Sequence, residues 1–176
     1  DPGNQRLVGY ASAELADQTA RLRDAVSGLT IPELEWQPAP GFNTVGMLLA
    51  HIAVAEAYWM NVAPRGEGWN DAADAEIVRI VGIRGEDAGL PLAPGGGHPA
   101  ALAGKTLDEY LAMIDRARKA THAVLRGWTD ATLDEFYETP RGAISYGWTI
   151  YHVVEHLAQH AGQVSLIRRL GRSLAA

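Results

Sequence analysis

The chain has 176 residues, carries 15 Lys and Arg against 21 Asp and Glu for a formal charge of −6, is 47% hydrophobic and contains no cysteine. A chain of this length buries a proper core as one domain, so a single domain over residues 1–176 is expected. The missing cysteine excludes disulfides, thiolate metal sites and cysteine nucleophiles, and a net negative chain without a Lys/Arg run argues against nucleic acid as a partner.

Apolar residues recur at i, i+3/i+4 and i+7, the helical spacing. A first helix is predicted from about Gln5 to Ser27, with Val8, Ala11, Leu15, Leu22 and Val26 on one face and Gly28 as its stop. Thr30-Ile-Pro-Glu33 has the pattern of a capping box and opens a short connecting helix that ends before Pro38. A second long helix starts at Asn43 or Thr44 and runs to about Ala63, where Pro64 and Gly66 follow; its stripe is Val45, Leu48, Ile52, Ala55, Trp59 and Val62. This is the most apolar part of the chain, but His51, Glu56 and Asn61 interrupt it. A membrane span needs about 20 mostly apolar residues, so no membrane association is expected.

Ten of the Gly and Pro residues fall between Gly82 and Gly104, which marks a long connection. Thr106 and Glu109 form a second capping-box pattern at the head of a third helix, carrying Leu107, Leu111, Ile114, Ala117, Thr121 and Val124 to about Gly127. A turn-rich stretch follows, with Phe136 to Thr139 as the best strand candidate. The fourth helix is predicted from Trp148 to Leu170, closed by Gly171, with Arg168 and Arg169 suited to its C-terminal dipole. Four such helices with long links make an all-α four-helix bundle with crossover connections.

Bundles build metal and cofactor sites from side chains that project inward from facing helices, so the histidines carry the interest. Three of six lie in Tyr151-His-Val-Val-Glu-His-Leu-Ala-Gln-His160. On a wheel centred on the apolar stripe, His160 lies about 80° away, His156 about 120° and His152 about 160°. His156 and His160, four apart, therefore form the inward pair, close enough to share one ion, and His152 falls toward the surface. His51 sits about 60° from the centre of its own stripe and offers a third imidazole. A single histidine beside an apolar stripe is more often a hydrogen-bonded core residue than a ligand. Three of them on two helices, with a position left for water, make a catalytic metal arrangement a serious alternative.

Two segments carry a resemblance: Phe42-Asn-Thr-Val-Gly-Met-Leu-Leu-Ala-His51, continuing to Ala57-Tyr58-Trp59, and Ser145-Tyr-Gly-Trp-Thr-Ile-Tyr-His-Val-Val-Glu-His156-Leu-Ala-Gln-His160-Ala-Gly-Gln163. With Leu34-Glu-Trp36-Gln-Pro38 before them, they resemble the motif regions of the DinB/YfiT-like superfamily. The resemblance implies a four-helix bundle holding a divalent metal, often Ni²⁺ or Zn²⁺, on His51, His156 and His160. It also implies a homodimer and the company of metal-dependent thiol transferases and isomerases using mycothiol, bacillithiol or glutathione, beside some metal-dependent hydrolases. The family name comes from induction by DNA damage, a stress response, in one member. The mycothiol-dependent isomerase branch carries Glu where this chain has His156, and many relatives carry Arg where it has Ala161.

Tyr58, two turns beyond His51, can bring a hydroxyl to the cavity as donor or proton relay, its plainer role being to pack at the rim. Gln163, three after His160, can orient a ligand water or an imidazole. His98 reads as a loop residue, His122 as a partly exposed helix residue, and the five tryptophans as packing anchors. Arg84, Arg141 and Arg168 can each clamp a substrate carboxylate, and spacing separates none of them. Glu155 and Glu56 point away from the proposed ligands and make poor general bases. The missing base favours a thiol-dependent S-transferase acting on a small electrophile over a hydrolase, with a non-catalytic sensor or interaction bundle as the third reading. Any thiol comes from outside a chain without cysteine. The chain begins at Asp1 rather than Met, consistent with trimming. No targeting segment is visible, and the cysteine content gives no support for an oxidising compartment, so a cytoplasmic protein is expected.

Overall fold

The computed structural model describes residues 5–66, 68–90 and 94–175. Its helices are α1 (Arg6–Val26), α2 (Ile31–Glu35), α3 (Val45–Ala57), α4 (Asp71–Val81), α5 (Leu107–Leu125) and α6 (Tyr146–Ala175); one hairpin, β1 (Phe136–Thr139) and β2 (Gly142–Ser145), precedes α6. The fold is all-α in class, with the four long helices as a bundle. α3 packs on α5 and α6, and α1 packs on the same two helices, so α1 and α3 occupy opposite corners. Long links follow from that diagonal arrangement.

The local chemistry explains the element ends. Both capping boxes form: Glu33 accepts from the Thr30 backbone N–H and Glu109 from that of Thr106, at 2.8 Å each. Thr44 caps α3 by accepting from Met47 N–H at 3.1 Å. Val8, Leu15, Leu22 and Val26 of α1 are buried as the stripe requires.

The structure departs from the sequence reading in four places. α4 is an additional helix: Asn70 accepts from Ala73 N–H, Asp71 and Asp74 occupy its first turn, and Gly82 ends it with a φ of +87°. It buries Ala73, Ile77, Ile80 and Val81 against α3 and α5. α3 is covered on all sides rather than along a stripe, because α4, α5 and α6 all pack on it. Its C-terminal extension, Tyr58–Val62, winds as a π-helical turn. Gly171 does not close the last helix, which continues to Ala175. A Cβ at Gly171 would lie 3.4 Å from the Trp36 ring, so the missing side chain serves the approach of that indole and not a turn.

The Val45–Arg65 stretch is apolar and long enough for a membrane span by composition, yet 78% of the window is buried inside the bundle. α1, α3 and α5 are also tied by a buried ion pair. Arg118 donates to both Glu56 carboxylate oxygens, at 2.7 and 3.0 Å, and to Leu15 O and Thr19 Oγ1. This pair was not foreseen; Arg118 lies one residue past the apolar stripe of α5, where sequence alone suggests solvent.

Candidate metal centre

α3 presents His51 as its one residue that is not fully buried. α6 lies against α3 and brings up His156 and His160 one turn apart. The three Nε2 atoms converge: His156 Nε2 stands 3.0 Å from His51 Nε2 and 3.1 Å from His160 Nε2. The three ligand nitrogens all lie within 4.8 Å of one another. Nitrogens bound at about 2.1 Å to a single ion stand roughly 3.0–3.4 Å apart, so the spacing suits one shared ion.

Proton bookkeeping favours a cation there. His160 Nδ1–H donates to Gln163 Oε1 at 2.8 Å, which leaves the Nε2 of a neutral His160 with a lone pair. His156 Nε2 then has to donate to His160, and once protonated it cannot accept from His51. One of the two short contacts is left unsatisfied by hydrogen bonding alone, whereas a divalent ion accepts all three lone pairs. Burial supplies the needed neutrality. It pushes the His51 imidazole down to about 4, with the His160 charge adding to it. It pushes His156 down to about 3, helped by His160, His51 and His152. Burial also lowers His160, against the upward pull of its bond to Gln163. The donor set, three imidazoles with Gln163 orienting one, fits a divalent transition-metal ion.

Among the described residues, no carboxylate belongs to the cluster. Glu56 is committed to Arg118, and Glu155 accepts from the Gln159 amide and faces His152 Nδ1 at 3.4 Å. His152 stacks on Trp148 with ring centroids 4.7 Å apart and stays outside the trio. His98 is no free loop residue: its Nδ1 lies 2.8 Å from Thr44 Oγ1, which pins the 82–104 connection to the head of α3.

A cavity of about 580 Å³ opens beside the trio, with His51 and His156 on its wall. Tyr58 lines it beside Trp59 and Trp69. The 82–104 connection contributes Gly85, Glu86 and Leu90, and the hairpin contributes Thr139, Pro140, Arg141 and Ile144. Of the five tryptophans, Trp128 is buried as an anchor should be, while Trp69 is 52% exposed and Trp148 41%.

Comparison with known proteins identifies the family and the fold. The family model described as the DinB superfamily matches residues 14–164. A crystal structure of a conserved protein from Enterococcus faecalis is similar in fold, with a TM-score of 0.66 at 14% identity, covering 92% of this chain and 95% of that one. Among curated proteins none matches.

Proposed function

The chain belongs to the DinB superfamily, and on that premise we propose that it is a divalent-metal-dependent S-transferase: His51, His156 and His160 hold Ni²⁺ or Zn²⁺, and an external low-molecular-weight thiol is transferred to a small electrophile. The observation that carries the reading is the convergence of three Nε2 atoms, with contacts of 3.0 and 3.1 Å, two of whose rings, His51 and His156, line an open cavity. A bound divalent ion would supply Lewis acidity, lowering the pKa of a thiol or water that reaches it.

The chain's own residues supply the rest. Gln163 holds the His160 ring so that Nε2 faces the centre. Trp59 and Leu90 exclude water from the apolar part of the cavity. In the transfer, the thiol proton leaves to solvent and the thiol sulfur bonds to the electrophilic carbon as that carbon's bond to its leaving group breaks. The leaving group (chloride, for monochlorobimane) departs with the bonding pair, and Tyr58 donates its hydroxyl hydrogen bond to the charge that develops on it. Transfer is favoured over hydrolysis because Glu56, Glu155 and the cavity-lining Glu86 already face Arg118, Gln159 and Arg84 respectively, so none of the three is free to serve water as a general base.

The test is turnover of monochlorobimane with glutathione, bacillithiol or mycothiol, run beside 4-nitrophenyl acetate without thiol. Conjugate formation with one thiol, abolished by chelation and by His156→Ala, is expected. Thiol-independent ester cleavage would make the protein a hydrolase, and no metal-dependent turnover at all would make it a sensor or interaction bundle.

A further inference from the structure

Arg141 and Trp69 line the cavity and have no part in the proposed chemistry. Of the three arginines that sequence alone leaves equivalent, two are committed to the fold. Arg84 Nε bonds Asp74 Oδ2 at 2.9 Å and sits 3.3 Å from Glu86, while Arg168 donates to Ala25 O and Ser27 O. Arg141 makes no ion pair among the described residues and lines the cavity.

Arg141 is also well placed. It sits in the two-residue loop of the hairpin, where Thr139 pairs with Gly142. Thr139 Oγ1 accepts from Arg141 N–H at 3.1 Å and donates to Gly142 O at 2.7 Å, so the tip is tied to itself. Pro140 closes onto Gly68, where a Cβ would come within 2.9 Å of the proline ring. The loop is therefore a fixed mount for one cation at the rim.

Trp69 lines the same cavity as a held aromatic wall. Its indole stacks on Tyr58 with centroids 4.8 Å apart and planes 27° from parallel. It lies so close to Gly85 that a Cβ there would stand 1.9 Å from the ring. A ring fixed by two neighbours and still 52% exposed is an apolar surface kept ready for another flat group. The π-helical turn starts at Tyr58 and sets both Tyr58 and Trp59 on the cavity wall, the kind of local distortion that marks ligand sites. Among the described residues, the one carboxylate lining the cavity, Glu86, is already faced by Arg84. Arg141 is thus the charged lining residue that these described ion pairs leave uncompensated.

Building on the reading of the trio as the reacting centre, we propose that this cavity selects acceptors combining a flat aromatic or conjugated body with a carboxylate, the body lying on the Tyr58–Trp69 wall and the carboxylate pairing with Arg141. The volume is within the range of small-molecule sites, about 300–1,000 Å³. A planar guanidinium matches a carboxylate in two parallel hydrogen bonds, and such a charge-assisted pair supplies discrimination of about tenfold over a neutral analogue.

The test is calorimetric titration of chelator-treated protein with 2-naphthoate, 2-naphthylmethanol and acetate, so that no carboxylate–metal bond contributes. 2-Naphthoate is expected to bind about tenfold more tightly than 2-naphthylmethanol, and acetate more weakly than either. Arg141→Gln should erase the preference while leaving 2-naphthylmethanol affinity unchanged, and Trp69→Leu should weaken both naphthyl compounds. Equal affinities in the unmodified protein, or a preference that survives Arg141→Gln, overturns the proposal. Zinc titration of the same proteins is read separately: lack of zinc binding would defeat the metal reading alone, and the naphthoate result stands or falls without it.

Discussion

Lowering the pH should unfold the chelator-treated protein through its histidines before its carboxylates respond. In the unfolded chain an imidazole titrates near 6.5. Burial holds His51 at about 4 and His156 at about 3 in the folded protein, and His160 is lowered as well. Below pH 6.5 the unfolded chain therefore takes up protons that the folded protein refuses, and stability falls as pH falls; above 6.5 these groups contribute no pH dependence. Each refused proton costs about 1.36 kcal/mol per pH unit, so two histidines over pH 6.5 to 5 give about 4 kcal/mol before screening. Part of each ring faces the open cavity, and solvent screening there brings the figure to about 2 kcal/mol. The chosen window leaves out the carboxylates with lowered pKa values, Glu33, Asp74, Glu76 and Glu109, whose contribution is lost only at lower pH. Urea unfolding at pH 7, 6 and 5 reads the effect directly. A midpoint that does not move between pH 7 and 5, or moves equally in His51→Gln/His156→Gln, would refute the reasoning.

Gln163→Ala should weaken zinc affinity about tenfold or more by freeing the His160 ring, while Gln163→Glu, which keeps an acceptor for Nδ1–H, should retain it; competition with a chromogenic chelator measures both. Glu56→Ala leaves the Arg118 guanidinium buried without its partner and should cost about 3–5 kcal/mol in urea unfolding, with Glu56→Met/Arg118→Met recovering most of the loss. Leu7 and Tyr10 of α1 and Tyr151, Leu166 and Leu170 of α6 are exposed apolar side chains on two packed helices, and they support a proposed homodimer. Light scattering should then give twice the 18.9 kDa chain mass, and a monomer over the micromolar range would remove it.

The parts of the molecule written in local chemistry were legible in its sequence. Thr30 with Glu33 and Thr106 with Glu109 name helix starts because a side chain and an N–H three residues apart satisfy each other. The four-residue spacing of His156 and His160 places both on one face whatever surrounds the helix, and the flank position of His51 places it at the edge of its buried face. What escaped depended on partners distant in sequence. α4 has a cap at Asn70 and an apolar set at Ala73, Ile77 and Ile80, but its 11 residues border a Gly- and Pro-rich connection that hides them. Gly171 looks like a helix end until Trp36, from the far side of the sequence, is seen against it. The choice of Arg141 over Arg84 and Arg168 needs the other two arginines' partners, which are tertiary facts.

The central claim, that His51, His156 and His160 together hold one divalent ion, is tested most directly by elemental analysis of protein reloaded with Ni²⁺ or Zn²⁺ and freed of excess metal. The account predicts about one equivalent per chain, falling to a small fraction in His51→Ala, His156→Ala and His160→Ala alike. Less than about a third of an equivalent in the unmodified protein, or full loading that survives His156→Ala, would contradict it.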